Sequence, residues 1–480
     1  MASIIFGMII IASLILAFLA VRGRDVLNIE EYLVGGRAFT GVLLFFLAVG
    51  EIYSIGTMVG LPGGIYAEGA SYGIWFLGYI LLAYPVGYFL APLIWRSGKR
   101  YGSMTVPDMF KSHYGSRSLE LVAALTFFAF LLPWAQLQFA GLQVALGALG
   151  FNISPTTATA VAAVIAFAYI ILSGVRAPAN ISILKDILLF VAIVIIGVAA
   201  ATAAGGVSTL FGAVEQINPS SLTIEGGQAM TFALTTIVFQ ALGFMTVTTA
   251  FIFTGRSEVT VKRTYIVMPL YMLMYPFLVF AAYYALSTAP NLDQPNTALF
   301  AAAVQLLPDW LIGLVAGAAA LSGLLILAVL SLTLGATLSR NITPGLSDTS
   351  QRRLTQVTVA VYLIVTAALT ILAPTLMLDL IAIAYYFVTQ TLVGLFGVLF
   401  VRQFSAPGLV TGLIAGNVAV LVLHFSHTNI AGINVGLIAL LVNFLVTIAV
   451  SAVAKNRSSH APMAAFGRAE SRQQVEKSTT

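Results

Sequence analysis

The chain has 480 residues, 60% of them hydrophobic and only 8% charged, with a formal net charge of +5 and no cysteine. A soluble domain carries roughly 25% charged residues, so this composition excludes a water-soluble protein, and the lack of cysteine excludes disulfides and thiol chemistry. The positive charge does not require nucleic acid as a partner, because the basic residues follow a membrane pattern.

A bilayer-spanning helix takes ~20 mostly apolar residues. Thirteen runs of about that length occur, at 2–21, 40–60, 72–95, 119–147, 155–173, 184–204, 231–254, 265–287, 310–338, 355–373, 378–401, 407–424 and 431–453; they are numbered segments 1 to 13. All 22 Lys and Arg residues fall in or immediately beside alternate gaps, or in the tail. Arg22, Arg24 and Arg37 occupy the first gap; Arg96, Lys99, Arg100, Lys111 and Arg117 the third. Arg176 and Lys185 flank the fifth; Arg256, Lys262 and Arg263 lie in the seventh, Arg340, Arg352 and Arg353 in the ninth, and Arg402 in the eleventh. Basic residues stay on the cytoplasmic side. The alternation predicts an all-α membrane protein of thirteen transmembrane helices in the cytoplasmic membrane, N-terminus outside and C-terminus inside. Segment 1 has no basic residue before it and two just after it, the reverse of a signal peptide, so it reads as a retained helix. Residues 1–454 form one membrane domain. The outside gap at 205–230 has room for a short helix, and the polar tail 455–480 reads as a disordered cytoplasmic end.

Segment 2 holds the stretch Ala48-Val49-Gly50-Glu51-Ile52-Tyr53-Ser54-Ile55-Gly56-Thr57 at mid-membrane depth. An ionised carboxylate there costs several kcal/mol unless it faces a cavity or a partner. Glu51 is therefore either a cation or proton site, and then a coupling group, or a protonated glutamate bonded to a neighbouring helix. With no Lys or Arg expected at membrane depth, its partner is a bound cation, a proton or neutral donors. Unwinding over Gly50–Thr57 would free backbone carbonyls, which suit a small cation; glycines that only permit close packing are the alternative.

Segment 4 carries Gln136, Gln138 and Gln143, with Gln136, Phe139 and Gln143 on one helical stripe. They face solute or bond between helices. Segment 7 repeats the mixture of glycine, amide and hydroxyls over Gln240–Thr249. Paired interrupted helices in corresponding positions point to inverted repeats; an offset of five segments gives repeats at about 40–204 and 231–401. Segment 9 carries Ser322, Ser331 and Thr333, whose hydroxyls most often bond to their own backbone. Segment 11 contributes Tyr385, Tyr386 and Gln390 at mid-helix. His424 and His427, at an outer end, are too few to hold a metal and read as interface residues.

At these residues the chain resembles the sodium:solute symporter family along essentially all thirteen segments. The resembling stretches are Glu31-Tyr32-Leu33-Val34-Gly35-Gly36-Arg37, Gly60-Leu61-Pro62-Gly63 and Leu338-Ser339-Arg340-Asn341-Ile342. The resemblance implies the leucine-transporter type of 5+5 inverted repeat. It also implies a sodium ion between backbone carbonyls of broken segment 2, here Gly50 and Tyr53, and hydroxyls of segment 9, here Ser331 and Thr333. The family pattern has two adjacent hydroxyls, whereas Leu332 separates these two. Within the family, Glu51-Ile52-Tyr53-Ser54, Tyr114–Leu119 and Leu137–Gln143 resemble the bacterial monocarboxylate permease group.

The sequence reading is thus a symporter, not an enzyme, that imports a small organic solute, with a monocarboxylate modestly preferred. It uses Na+ or H+ as coupling ion and no other cofactor. Glu51, Ser54, Gln136, Gln143, Gln240, Tyr386 and Gln390 are the expected solute-facing residues. A membrane sensor with a separate output partner is the alternative reading.

Overall fold

In a computed structural model of the chain, residues 1–21, 29–150, 154–173, 175–224, 226–373, 377–454 and 460–464 are described. Among them the regular structure is helical throughout, and one isolated backbone bridge joins Phe39 to Gly255. Eleven helices are long and apolar enough to cross a membrane, and two shorter apolar helices, Gly41–Gly50 and Thr156–Ala168, stand where segments 2 and 5 were expected. Segment 9 is the axis: 94% of its most apolar stretch is buried, against 17% for segment 1 at the periphery.

Segment 2 starts behind Thr40, whose hydroxyl accepts from the Leu43 amide. It runs as Gly41–Ile52, leaves helical geometry at Tyr53 (φ −92°, ψ 74°), re-forms as a wide turn at Gly56–Gly60 and continues into Leu61–Tyr101. That helix breaks in two at Gly69 (φ 61°, ψ −147°), so the expected gap near Glu68 is a single glycine. A Cβ on Gly69 would lie 2.5 Å from the Ser221 backbone, so conformation and space both require glycine there. The gap after segment 6 does hold a short helix, Val207–Ile217.

Three departures from expectation matter. Segment 6 begins at Arg176 and runs to Ala203, eight residues earlier than expected (176 against 184). Lys185 is therefore the tenth residue of a helix and not a flanking charge. Segment 7 is interrupted near the end of the expected stretch Gln240–Thr249 and not at its glycine: Gln228–Val247 is one helix, and the break comes at Thr248 before Thr249–Ile252. Gly243 serves close packing instead, since a Cβ there would meet the Thr389 hydroxyl at 2.0 Å. Segment 8 was read as one helix but passes through a 3-10 stretch, Met268–Met274, between Glu258–Val267 and Tyr275–Thr288. Pro269 and Pro276 each remove a backbone donor there.

At the ends expected to face the cytoplasm, distant loops are tied together. The helix Val106–Tyr114 is capped reciprocally by Thr105 and Asp108. Asp108 also accepts from Arg340 and, at 2.6 Å, from Asn341 Nδ2. Asn341 Nδ2 donates to Glu120 at 2.9 Å, and Glu120 pairs with Lys111 and Arg117. Arg176 pairs with Glu31 and donates to the Gly35 carbonyl. Part of the tail is described: the His460 ring bonds to the His113 carbonyl oxygen and Met463 is buried.

Candidate functional site at the break of segment 2

Where segment 2 unwinds, its local bonds are rearranged. The Ser54 hydroxyl accepts from the Gly56 amide at 3.1 Å, and Thr57 donates to the Ile52 carbonyl at 3.2 Å. Two carbonyls, those of Gly50 and Tyr53, turn toward segment 6. Both accept from the Lys185 ammonium, at 3.1 and 3.0 Å. The same ammonium forms an ion pair with Asp186. Lys185 and Asp186 are both 0% exposed. A Cβ on Gly50 would come within 3.3 Å of Ser182 Cβ and 3.5 Å of Lys185 Nζ, so the missing side chain at Gly50 lets segment 6 close on the break.

The expectation that no Lys or Arg reaches membrane depth is therefore overturned. Lys185 lies inside the apolar span Pro178–Ala203 and brings its charge to the carbonyls expected to hold a cation. The physical reason is the earlier start of segment 6, which places Lys185 more than two helical turns inside it.

The aromatic wall beside the break is built from several helices. The Tyr53 and Tyr84 hydroxyls are hydrogen-bonded to each other. The Tyr53 ring packs on Tyr271 and Tyr275, with centroids 5.2 and 5.8 Å apart. Tyr79 meets Tyr385 at 5.4 Å, and Tyr385 meets Trp134 at 5.7 Å, which links the wall to segments 4 and 11.

The other expected residues are not gathered at one point. Gln136 donates to the Ala373 carbonyl at 2.8 Å and Gln143 to the Thr159 hydroxyl at 2.8 Å. Both line one cavity of about 850 Å³, with Asp293 and Leu380, so their shared stripe is real. Tyr386 lines a separate cavity of about 660 Å³ with Glu68, Tyr72, Trp75 and Asp379. Gln390 faces neither of these cavities: it bonds to the Tyr386 carbonyl at 3.1 Å and accepts from Asn443 at 3.2 Å. Gln240 is 0% exposed, and its amide has no hydrogen-bond partner among the described residues. In segment 9, Thr333 donates to its own helix at Val329, and the Ser331 hydroxyl has no partner among the described residues. The side chain of Glu51 lies outside the described residues.

Sequence reasoning missed Lys185 and Asp186. The available signal was Pro178: proline is favoured in a helix's first turn, and counting from it places Lys185 two turns in.

A family model described as the sodium:solute symporter family matches residues 32–416. The uncharacterized symporter YhjB of Bacillus subtilis is 29% identical over 95% of this chain and 98% of its own length. A monocarboxylate transport permease protein of Rhizobium johnstonii is 28% identical over 84% of each chain. Among solved structures, a Na+-coupled sialic acid symporter in a substrate-bound outward-open state superposes with a TM-score of 0.77 at 16% identity, covering 96% of this chain and 99% of the other.

Proposed function

We propose that this chain, which belongs to the sodium:solute symporter family, is a symporter of the cytoplasmic membrane that imports a small monocarboxylate by alternating access. In this reading it has thirteen crossings, an outside N-terminus and a cytoplasmic C-terminus, and segments 2–6 and 7–11 form inverted repeats. The observation that carries it is the mid-membrane break at Tyr53, whose neighbouring carbonyls converge on a positive charge. An unwound helix at a repeat interface is where transporters of this architecture bind solute and coupling ion. The likeness to a monocarboxylate permease over most of both chains supports the solute class.

The cavities lined by Gln136 and Gln143 and by Tyr386 fall within the ~300–1,000 Å³ range of small-molecule sites and are the proposed entry points for solute. Glu51, next to Gly50 in the chain, is the proposed coupling group. The test is uptake by proteoliposomes of a panel containing lactate, pyruvate, proline and pantothenate under imposed ion gradients. Accumulation of the short monocarboxylates is expected; accumulation of proline or pantothenate alone would reassign the solute. If Glu51→Gln leaves gradient-driven accumulation intact, Glu51 is not the coupling group.

A further inference from the structure

The family likeness implies a sodium ion at the break of segment 2, and the residues present can be tested for fit. An ammonium has three N–H donors and no acceptor. Three oxygens face Lys185 Nζ: the carbonyls of Gly50 and Tyr53 and a carboxylate oxygen of Asp186. The ammonium donates to both carbonyls and its charge is balanced by the Asp186 carboxylate. A metal ion bound by the same carbonyls would have to displace the ammonium or share its position, and two cations in contact in a low-dielectric interior repel strongly. The segment 9 hydroxyls expected to complete a sodium site do not make up the deficit. Leu332 separates Ser331 from Thr333, and Thr333 is already bonded to its own helix at 2.9 Å. Lys185 is 0% exposed, so its ammonium cannot turn out to solvent unless the surrounding helices part. The residues do not fit sodium at this position.

We infer that the Lys185 ammonium takes the place of a bound sodium ion at the break of segment 2, so that the protein binds no Na+ there and takes up its solute without it. The charge that relatives draw from solution is covalently tethered in this chain. The uptake half rests on the symport reading; the ion-binding half does not, and the first experiment below uses no solute.

The full-length protein, purified in detergent, is unfolded thermally while NaCl is exchanged for choline chloride at constant ionic strength. A ligand that binds the native state raises the apparent melting temperature by mass action. The wild type is expected to melt at the same temperature in both salts. Lys185→Ala, which removes the tethered charge but keeps all three oxygens, is expected to melt lower in choline and to regain stability specifically with Na+. A saturable, Na+-specific rise in the wild type overturns the inference, and that result needs no variant. A folded Lys185→Ala that is indifferent to Na+ also overturns it, because those oxygens would then form no cation site. Direct binding of radiolabelled Na+ to the wild type supplies the same decision if Lys185→Ala does not fold; no saturable binding is expected. In proteoliposomes, Na+-free accumulation of a transported monocarboxylate supports the uptake half, and accumulation that requires Na+ refutes it. Failure to transport any monocarboxylate bears on the function and leaves the thermal result standing.

Discussion

Burying Lys185 beside Asp186 desolvates two ions, and the Gly50 and Tyr53 carbonyls offset this by satisfying the ammonium. Pairs of this kind are sensitive to loss of one partner, because the other is left as an uncompensated buried charge, at a cost of about 3–5 kcal/mol. Asp186→Asn keeps the shape and removes the negative charge. It is expected to destabilise the protein by about that much, seen as a lowered melting temperature of the detergent-purified variant; an unchanged melting temperature would show that the pair is not ionised in the folded state. At this scale the sequence was half legible. Gly50, Tyr53 and Ser54 announced a break, since two glycines, a carboxylate and hydroxyls seldom sit together inside a straight apolar helix. Lys185 was misread because a charge beside a gap and a charge two turns inside a helix differ only by where the helix starts.

The elements show the same division between local and distant causes. Segment boundaries followed from apolar length, and the run 155–173 matches Pro155–Ser173 residue for residue. The 3-10 stretch in segment 8 and the helicity of segment 7 through Gly243 were not legible, because a glycine or proline in a membrane helix permits a break without compelling one. Gly243 leaves room for Thr389, 146 residues away in sequence (389 against 243). The tie between Val106–Tyr114, segment 4 and the end of segment 9 was equally hidden. Asn341 lies over 200 positions from Asp108 and Glu120 across that contact. Glu120 is 1% exposed at its side chain and holds Lys111, Arg117 and Asn341 together. Glu120→Gln keeps one acceptor and loses the charge; a loss of about 1–3 kcal/mol of stability is expected, measured as the melting temperature. No change would mean that the cluster does not clamp these elements.

On the same short helix, His113 is buried beneath His460, with Tyr101 bonded to its Nδ1 at 2.8 Å and Arg100 and Tyr114 close by. Burial first, then the nearby His460 and Arg100, lower its pKa from 6.5 to about 4. The folded state therefore binds this proton less readily than the unfolded one. Its contribution to stability is complete above pH 6.5 and declines as the pH falls toward about 4. Melting temperatures measured across that window are expected to fall with acidification, and His113→Asn to flatten part of the slope. Identical slopes for wild type and variant would show that His113 is not the titrating group.

Across the whole molecule, apolar length located the eleven helices long and apolar enough to cross a membrane, and the alternation of basic gaps supplies the proposed orientation. Among the described residues, Lys185 lies more than two turns inside a membrane helix, and it lies at the site. A charge that the membrane rule would keep in a loop is retained in the interior where paired oxygens receive it. With this tethered ammonium in place of sodium, as inferred above, uptake is expected to run on another gradient. The most direct measurement is uptake of a short monocarboxylate into proteoliposomes prepared without sodium, energised by an inward proton gradient. Accumulation above equilibrium that is unchanged when Na+ is added is the predicted result. Accumulation that appears only with an inward Na+ gradient would contradict the account.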